Sequence, residues 1–242
     1  NQMGEIALSR IVAYWAARQP MRVAIYHEGE TITWSELEWQ TNRLARYYEG
    51  LGVGQDDFVT IALPNGIEFF KATFATWKVG ATPQPVSARL PKFERDQIIE
   101  VGAPKLIVGV DDDDQPGTQC LPVGFEPPAD LSGEALDERI AASFKAMTSG
   151  GSTGRPKLIV SATPAVFNLD QELLQIKLQG SILIPGPLYH NGPFLWGLNA
   201  LLRGNQVTVT TRFDAQQTLS LIDAQKVDSV YMVPTMMQRI WN

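Results

Sequence analysis

The hydrophobic positions of this chain change period repeatedly, from short apolar runs to stretches with helical spacing. Residues 6–18 place apolar side chains on one helical face, which predicts an amphipathic helix. Residues 23–26 and 31–33 are strand-like and flank Glu28-Gly29-Glu30, a hairpin pattern. Thr33, followed three residues later by Glu36, has the spacing of a capping box, and Leu37, Leu44 and Tyr48 continue the inner face of the helix it opens. Residues 58–63 read as a buried strand and Pro64-Asn65-Gly66 as a turn. A helix then runs to Lys78 and stops at Gly80. A strand over 81–86, a helix over 91–101 and a strand over 105–108 follow. Residues 144–147, 157–160, 181–184, 206–210 and 229–232 predict further strands. Residues 164–174, 192–202, 214–224 and 234–241 predict helices, with Asp214 and Gln217 at capping-box spacing.

Such alternation predicts an α/β fold of largely parallel sheets flanked by helices. The pattern breaks over residues 111–133, where four aspartates, Asp111 to Asp114, precede a stretch rich in proline and glycine. We place a boundary near there. It divides the chain into an α/β subdomain over 1–142 and a second, incomplete one over 143–242. The four carboxylates read as a solvated, self-repelling loop in preference to a cation site. Gly50, Gly52 and Gly54 follow a helix instead of opening one, so they predict a turn and not a dinucleotide loop.

Composition narrows the partners. The chain has 242 residues, 44% of them hydrophobic and 19% charged, values of a globular protein. A net charge of −6 leaves no basic stripe for nucleic acid. No apolar run is long enough to span a bilayer. The single cysteine, Cys120, has no partner for an internal disulfide and reads as an inert thiol. A reducing, cytoplasmic location is the expectation.

The chemistry concentrates in nine residues, Ser149, Gly150, Gly151, Ser152, Thr153, Gly154, Arg155, Pro156 and Lys157, between two predicted strands. Glycines let successive backbone N–H groups converge on an anion, because no Cβ blocks close approach. Ser152 and Thr153 add donors and Lys157 a point charge, so the string suits a polyphosphate. The competing reading is a glycine-rich hairpin without a ligand. The lysine is separated from the last glycine by Arg155-Pro156, which excludes the G-x-x-x-x-G-K-[ST] loop. Of the two histidines, His27 sits beside a predicted turn and is expected to be exposed. His190 lies between Pro187 and Pro193 at a strand-to-helix junction, the place where ligands bind in α/β sheets.

The loop resembles the phosphate loop of the adenylate-forming enzymes, which include acyl-CoA synthetases, nonribosomal adenylation domains and luciferases. Gly150 stands where most of them carry serine. Four more stretches agree in order: Trp34-Ser35-Glu36-Leu37; Lys78-Val79-Gly80-Ala81 with Pro85 through Leu90; Pro187-Leu188-Tyr189-His190-Asn191-Gly192; and Tyr231-Met232-Val233-Pro234-Thr235. The His190 motif and the Arg155-Pro156-Lys157-Leu158 continuation are most similar to acyl-CoA ligases.

The resemblance implies two half-reactions. A carboxylate attacks the α-phosphate of Mg2+-bound ATP to give acyl-AMP, and a thiol, that of CoA, then takes the acyl group. On this reading the loop and Lys157 hold the phosphates, and His190 borders the reacting carboxylate. Asn191, Gly192 and Trp196 begin a helix that walls an apolar acyl pocket, or are equally plain core. Arg89 matches an arginine that reaches the CoA nucleotide in some relatives, with a solvated surface arginine as the alternative. The expected partners are a hydrophobic carboxylic acid, as in fatty acid metabolism, with ATP and CoA. No metal ligand is expected within these residues. The family's adenine, ribose and mobile C-terminal segments are expected beyond Asn242, so the chain is expected to be inactive alone and to self-associate through apolar surface. Loading a carrier protein, or binding a nucleotide without catalysis, are the alternatives.

Overall fold

The computed structural model describes residues 4–149, 156–171 and 174–241. It is a mixed α/β structure with two principal sheets. The strands, in chain order, are β1 Glu5–Ala7, β2 Val23–His27, β3 Glu30–Thr33, β4 Phe58–Ile61, β5 Thr82–Pro85, β6 Leu106–Val108, β7 Gln119–Leu121, β8 Ala146–Ser149, β9 Lys157–Val160, β10 Val166–Asn168, β11 Ser181–Ile184, β12 Gln206–Val209 and β13 Ser229–Val230. The α-helices are α1 Ile11–Arg18, α2 Trp34–Gly50, α3 Ile67–Lys78, α4 Lys92–Gly102, α5 Asn191–Leu202, α6 Ala215–Ala224 and α7 Pro234–Trp241.

One sheet has the order β5-β4-β6-β7 and is parallel throughout. Its β5 carries Pro83 and Pro85, which donate no ladder hydrogen bond, and accordingly lies at the edge. The other sheet has the order β13-β11-β12-β2-β3 and is parallel except for the β2–β3 hairpin. Two antiparallel pairs complete the set, β1 with β10 and β8 with β9.

Helix α3 lies between the sheets, in contact with β4 and β5 on one side and β2 on the other. Phe69 through Lys78 are all buried, the behaviour of a helix that is apolar nearly all round. The Phe69 ring meets that of Phe194 of α5 edge-on at 6.2 Å and that of Phe70 at 5.7 Å. Each large side chain buried here contributes roughly 1.5–3 kcal/mol. Lys78, at the end of α3, is 4% exposed and bonds Glu38 and Asn42 of α2, both at 2.7 Å. Helix α2 opens as its spacing predicts: Thr33 caps Glu36 N–H, and the Glu36 carboxylate accepts from Thr33 N–H at 2.8 Å. Gly80 follows α3 with φ +77°, a conformation that favours glycine.

Four sequence expectations are corrected. Residues 6–18 are not one helix: β1 and a 3-10 turn over Leu8–Arg10 precede α1. Residues 164–174 hold β10, because 166–168 pair with β1 far away in sequence. Within 111–133 lies β7, a parallel neighbour of β6. Finally, the boundary near residue 142 does not separate the sheets, since β2 pairs with β12 and draws residues 1–142 and 143–242 into one sheet.

Candidate active site

The functional residues gather where both parallel sheets end. Parallel strands all point their carboxyl ends one way, so the loops that follow them form one rim. The loops after β4, β5, β11 and β12 supply Asn65, Ser87 to Leu90, Pro185 to His190 and Thr211 to Phe213.

Asn65 ties this rim together. Its buried side chain donates to the carbonyls of Gly186 (2.8 Å) and Thr210 (3.1 Å) and accepts from Leu188 N–H (2.9 Å). One amide thus joins the ends of β4, β11 and β12 and fixes the loop that leads to His190. The sequence shows Asn65 only as a turn residue; its partners are more than a hundred positions away.

His190 is exposed and sits as the residue before α5, with extended φ −86° and ψ 143°. Its N–H bonds Pro187 carbonyl at 3.1 Å, and its ring lies 4.4 Å from that of Tyr189. Tyr189 and His190 line a cleft of about 510 Å³ with Ser87, Thr148, Ser149 and Pro156, and with Phe93 and Ile98 of α4 on its apolar side. The β8–β9 hairpin reaches this cleft. Ser149 and Lys157 are directly paired in its register, so the two ends of the nine-residue string stand side by side. Gly150, Gly151, Ser152, Thr153, Gly154 and Arg155 lie outside the described residues. Thr148 is linked back to the first sheet by a long 3.5 Å contact with Gln84, itself bonded to Thr60 at 2.9 Å. Lys157 is exposed, with no carboxylate partner among the described residues.

The structure brings together Ser149, Pro156 and His190. Arg89 occupies an adjoining cavity of about 230 Å³, which shares Ser87 and Tyr189 with the first and also holds Arg212 and Phe213. Asn191, Gly192 and Trp196 do not line the cleft. Trp196 packs at 5.6 Å against the ring of Tyr231, and a Cβ at Gly192 would run into the Tyr231 hydroxyl. Asn191 Oδ1 instead accepts a hydrogen bond from Lys145. Lys145 passed unnoticed in the sequence, although a charge inside a predicted strand was its signal.

His27 is partly buried, not exposed: its Nε2 lies 3.1 Å from Thr211 Oγ1. Glu28 accepts from Thr211 N–H and hydroxyl, both at 3.0 Å, and the backbone bond foremost holds its carboxyl below the usual range. Cys120 is buried, and burial pushes its thiol up to about 11, so it is an inert thiol at neutral pH. Among the described residues no group of three His, Cys, Asp or Glu is placed to hold a metal ion, and no helix is long and apolar enough to cross a membrane.

Comparison with known proteins agrees with this geometry. The chain is 28% identical over 236 residues to feruloyl-CoA synthase of an Amycolatopsis species, covering 93% of this chain and 48% of that protein. It is 26% identical over 241 residues to the long-chain-fatty-acid–CoA ligase FadD13 of Mycobacterium tuberculosis, covering 88% and 48%. It therefore spans about half the length of these curated relatives. Among solved structures, o-succinylbenzoate CoA synthetase (MenE) of Bacillus subtilis in complex with AMP superposes with a TM-score of 0.78 at 22% identity, covering 98% of this chain and 64% of that one. The sequence profile of the AMP-binding enzyme family matches residues 12–242, nearly the whole chain, and the chain belongs to that family.

Proposed function

We propose that this chain is the N-terminal part of an ATP-dependent acid–thiol ligase, which activates a hydrophobic carboxylic acid as acyl-AMP and passes the acyl group to CoA. The observation that supports this reading best is the shared cleft, in which Ser149 and Pro156, from either side of the string's glycines, stand with Tyr189 and His190. Adenylation needs positioning and charge neutralisation more than proton transfer. The string's amides, its Ser152 and Thr153 hydroxyls and Lys157 would hold the β- and γ-phosphates. Mg2+ bound with ATP would neutralise phosphate charge during pyrophosphate departure. His190, presented by a loop that Asn65 fixes, would orient the acid's reacting carboxylate toward the α-phosphate. Phe93, Leu90 and Ile98 give the cleft an apolar side for the acid's body. Arg89, in the adjoining cavity, would meet the phosphates of CoA.

A second reading has an acyl-carrier protein as the acceptor, in line with a relative named as a fatty acid–[acyl-carrier-protein] ligase, ScoC of Streptomyces coeruleorubidus, at 25% identity. The experiment is ATP–pyrophosphate exchange by the complete ligase that contains this chain, with a panel of aliphatic and aryl acids, followed by thioester formation with CoA or a carrier protein. Acid-dependent exchange is expected, slowed on the order of a hundredfold by Lys157→Ala. Exchange with no acid, or an unchanged rate in the variant, would overturn the assignment.

A further inference from the structure

Lys145 differs from every other lysine among the described residues. Lys71 and Lys78, the two buried ones, each bond a carboxylate: Glu126 at 3.0 Å and Glu38 at 2.7 Å. Lys92, Lys177 and Lys226 are also paired with carboxylates. Lys105 and Lys157 have no carboxylate among the described residues, but both are exposed to water. Lys145 alone is half-buried and has no counter-charge there; its ammonium donates only to the neutral Asn191 Oδ1. Burial by itself pulls its pKa down, and no nearby charge opposes that pull. A partly desolvated cation without an anion is unfavourable in the free protein, and becomes favourable when a ligand brings the anion.

The mounting is rigid. The Lys145 carbonyl accepts from Ser143 Oγ at 2.9 Å and from Ser161 N–H at 3.0 Å. The neighbouring Phe144 carbonyl accepts from the indole of Trp77 at 2.9 Å, which anchors the segment entering β8 to α3. The side chain passes beside the Phe144 ring, with the ammonium 5.5 Å from its centroid. It ends at Asn191, the residue that follows His190. The Asn191 amide nitrogen donates to no group among the described residues, so Lys145 and Asn191 together offer a cation and a free N–H donor. A carboxylate takes both. With the reacting carboxylate engaged at His190, nothing in the remainder of a hydrophobic monocarboxylic acid would.

We propose that Lys145, with Asn191, is a specificity-determining pair that receives a second carboxylate on the acid substrate, so that the preferred substrates are dicarboxylic acids activated at the other end. This rests on the reading that the protein adenylates carboxylic acids. It places the second carboxylate on the α5 side of His190, away from the cleft wall formed by α4.

The test uses matched pairs, each an aliphatic or aryl dicarboxylic acid and its monomethyl ester, in ATP–pyrophosphate exchange by the complete ligase that contains this chain. The wild type is expected to favour the diacid in kcat/KM by about tenfold, mostly through KM. Lys145→Met should abolish that preference while exchange with the monoester persists, and Lys145→Arg should keep it. The comparison within the wild type stands even if a variant folds poorly. Equal use of the two members, a preference for the monoester, or an equal loss on both in Lys145→Met would overturn this inference and leave acid adenylation intact. Exchange with neither member of any pair, nor with any simple acid, would instead overturn the underlying reading and this inference with it.

Discussion

The layer between α2 and α3 and the rim at the ends of the strands are built on opposite terms. In the layer, polar groups are few and deeply buried, and the charged one is paired: Lys78 bonds Glu38 and Asn42, and Thr73 and Thr76 bond carbonyls one turn back, while Trp34 Nε1 and the Tyr48 hydroxyl of α2 are buried without a partner among the described residues. Around them pack Phe69, Phe70, Phe74 and Trp77, each no more than 1% exposed. On the rim the cations Lys145, Lys157, Arg89 and Arg212 have no carboxylate partner among the described residues. Large apolar side chains there face outward, Phe93 at 71% exposed and Ile159 at 59%. Folding free energy explains the first set. The second set contributes little to it, and its chemistry is that of a surface awaiting an anion with an apolar body.

The largest test of this contrast pairs two aromatic truncations. Trp77→Ala removes a fully buried ring and its hydrogen bond to the Phe144 carbonyl, and should destabilise the protein by about 3–5 kcal/mol in urea unfolding. Phe93→Ala, at the cleft, should change stability by no more than about 0.5 kcal/mol. Comparable losses from both would erase the distinction between core and rim. Because Trp77 also anchors the segment that carries Lys145 into β8, partial unfolding in Trp77→Ala should disturb the cleft as well.

A smaller effect is expected at Asn65, the buried amide that ties the rim together. Asn65→Ala leaves the carbonyls of Gly186 and Thr210 and the N–H of Leu188 without that partner, at a cost of about 1–3 kcal/mol. If the amide positions the His190 loop, acid-dependent pyrophosphate exchange should fall more steeply than stability does. An exchange rate that follows only the folded fraction would reduce Asn65 to a core residue.

What the sequence reveals follows the range of each interaction. The capping box at Thr33 and Glu36, the β2–β3 hairpin and the stop at Gly80 are set by residues within a few positions, and their spacing shows them directly. Residues 166–168 have a helix-like neighbourhood but become a strand because β1, some 160 residues earlier, offers an edge. The strand β7 is three residues long amid proline and glycine, and exists because β6 completes its ladder. The site divides the same way. The glycine string and His190 are visible as chemistry in a local pattern, whereas Asn65 and Lys145 acquire meaning only from what the fold brings beside them. For Asn191, Gly192 and Trp196 the local pattern leaves acyl wall and plain core equally open, because it cannot show Tyr231, whose ring occupies the space beside Gly192 and Trp196.

The smallest and most specific prediction concerns the charge on Lys145. Its pKa in the folded protein is pulled below the ordinary lysine value of about 10.4 by burial. Below the folded pKa both states carry the proton, and the folded protein bears the full cost of a partly desolvated ammonium. Between the folded pKa and the ordinary value, the unfolded chain binds more protons than the native one, so stability rises with pH. Wild type should therefore gain stability relative to Lys145→Met as pH climbs through the alkaline range toward about 10.4, and the gain should level off above it. The effect is modest, because the group is only half-buried and water screens much of the penalty. Thermal unfolding of the two proteins in parallel isolates it, since the substitution removes no other titratable group, and Asn191, which accepts the Lys145 hydrogen bond, does not titrate. Adding a dicarboxylic acid should reverse the trend: the bound anion holds the proton on Lys145, and wild type should then lose its advantage as pH rises. A pH-independent difference between the two proteins would mean that Lys145 is solvated like any surface lysine, and the contrast between rim and core would lose its sharpest member.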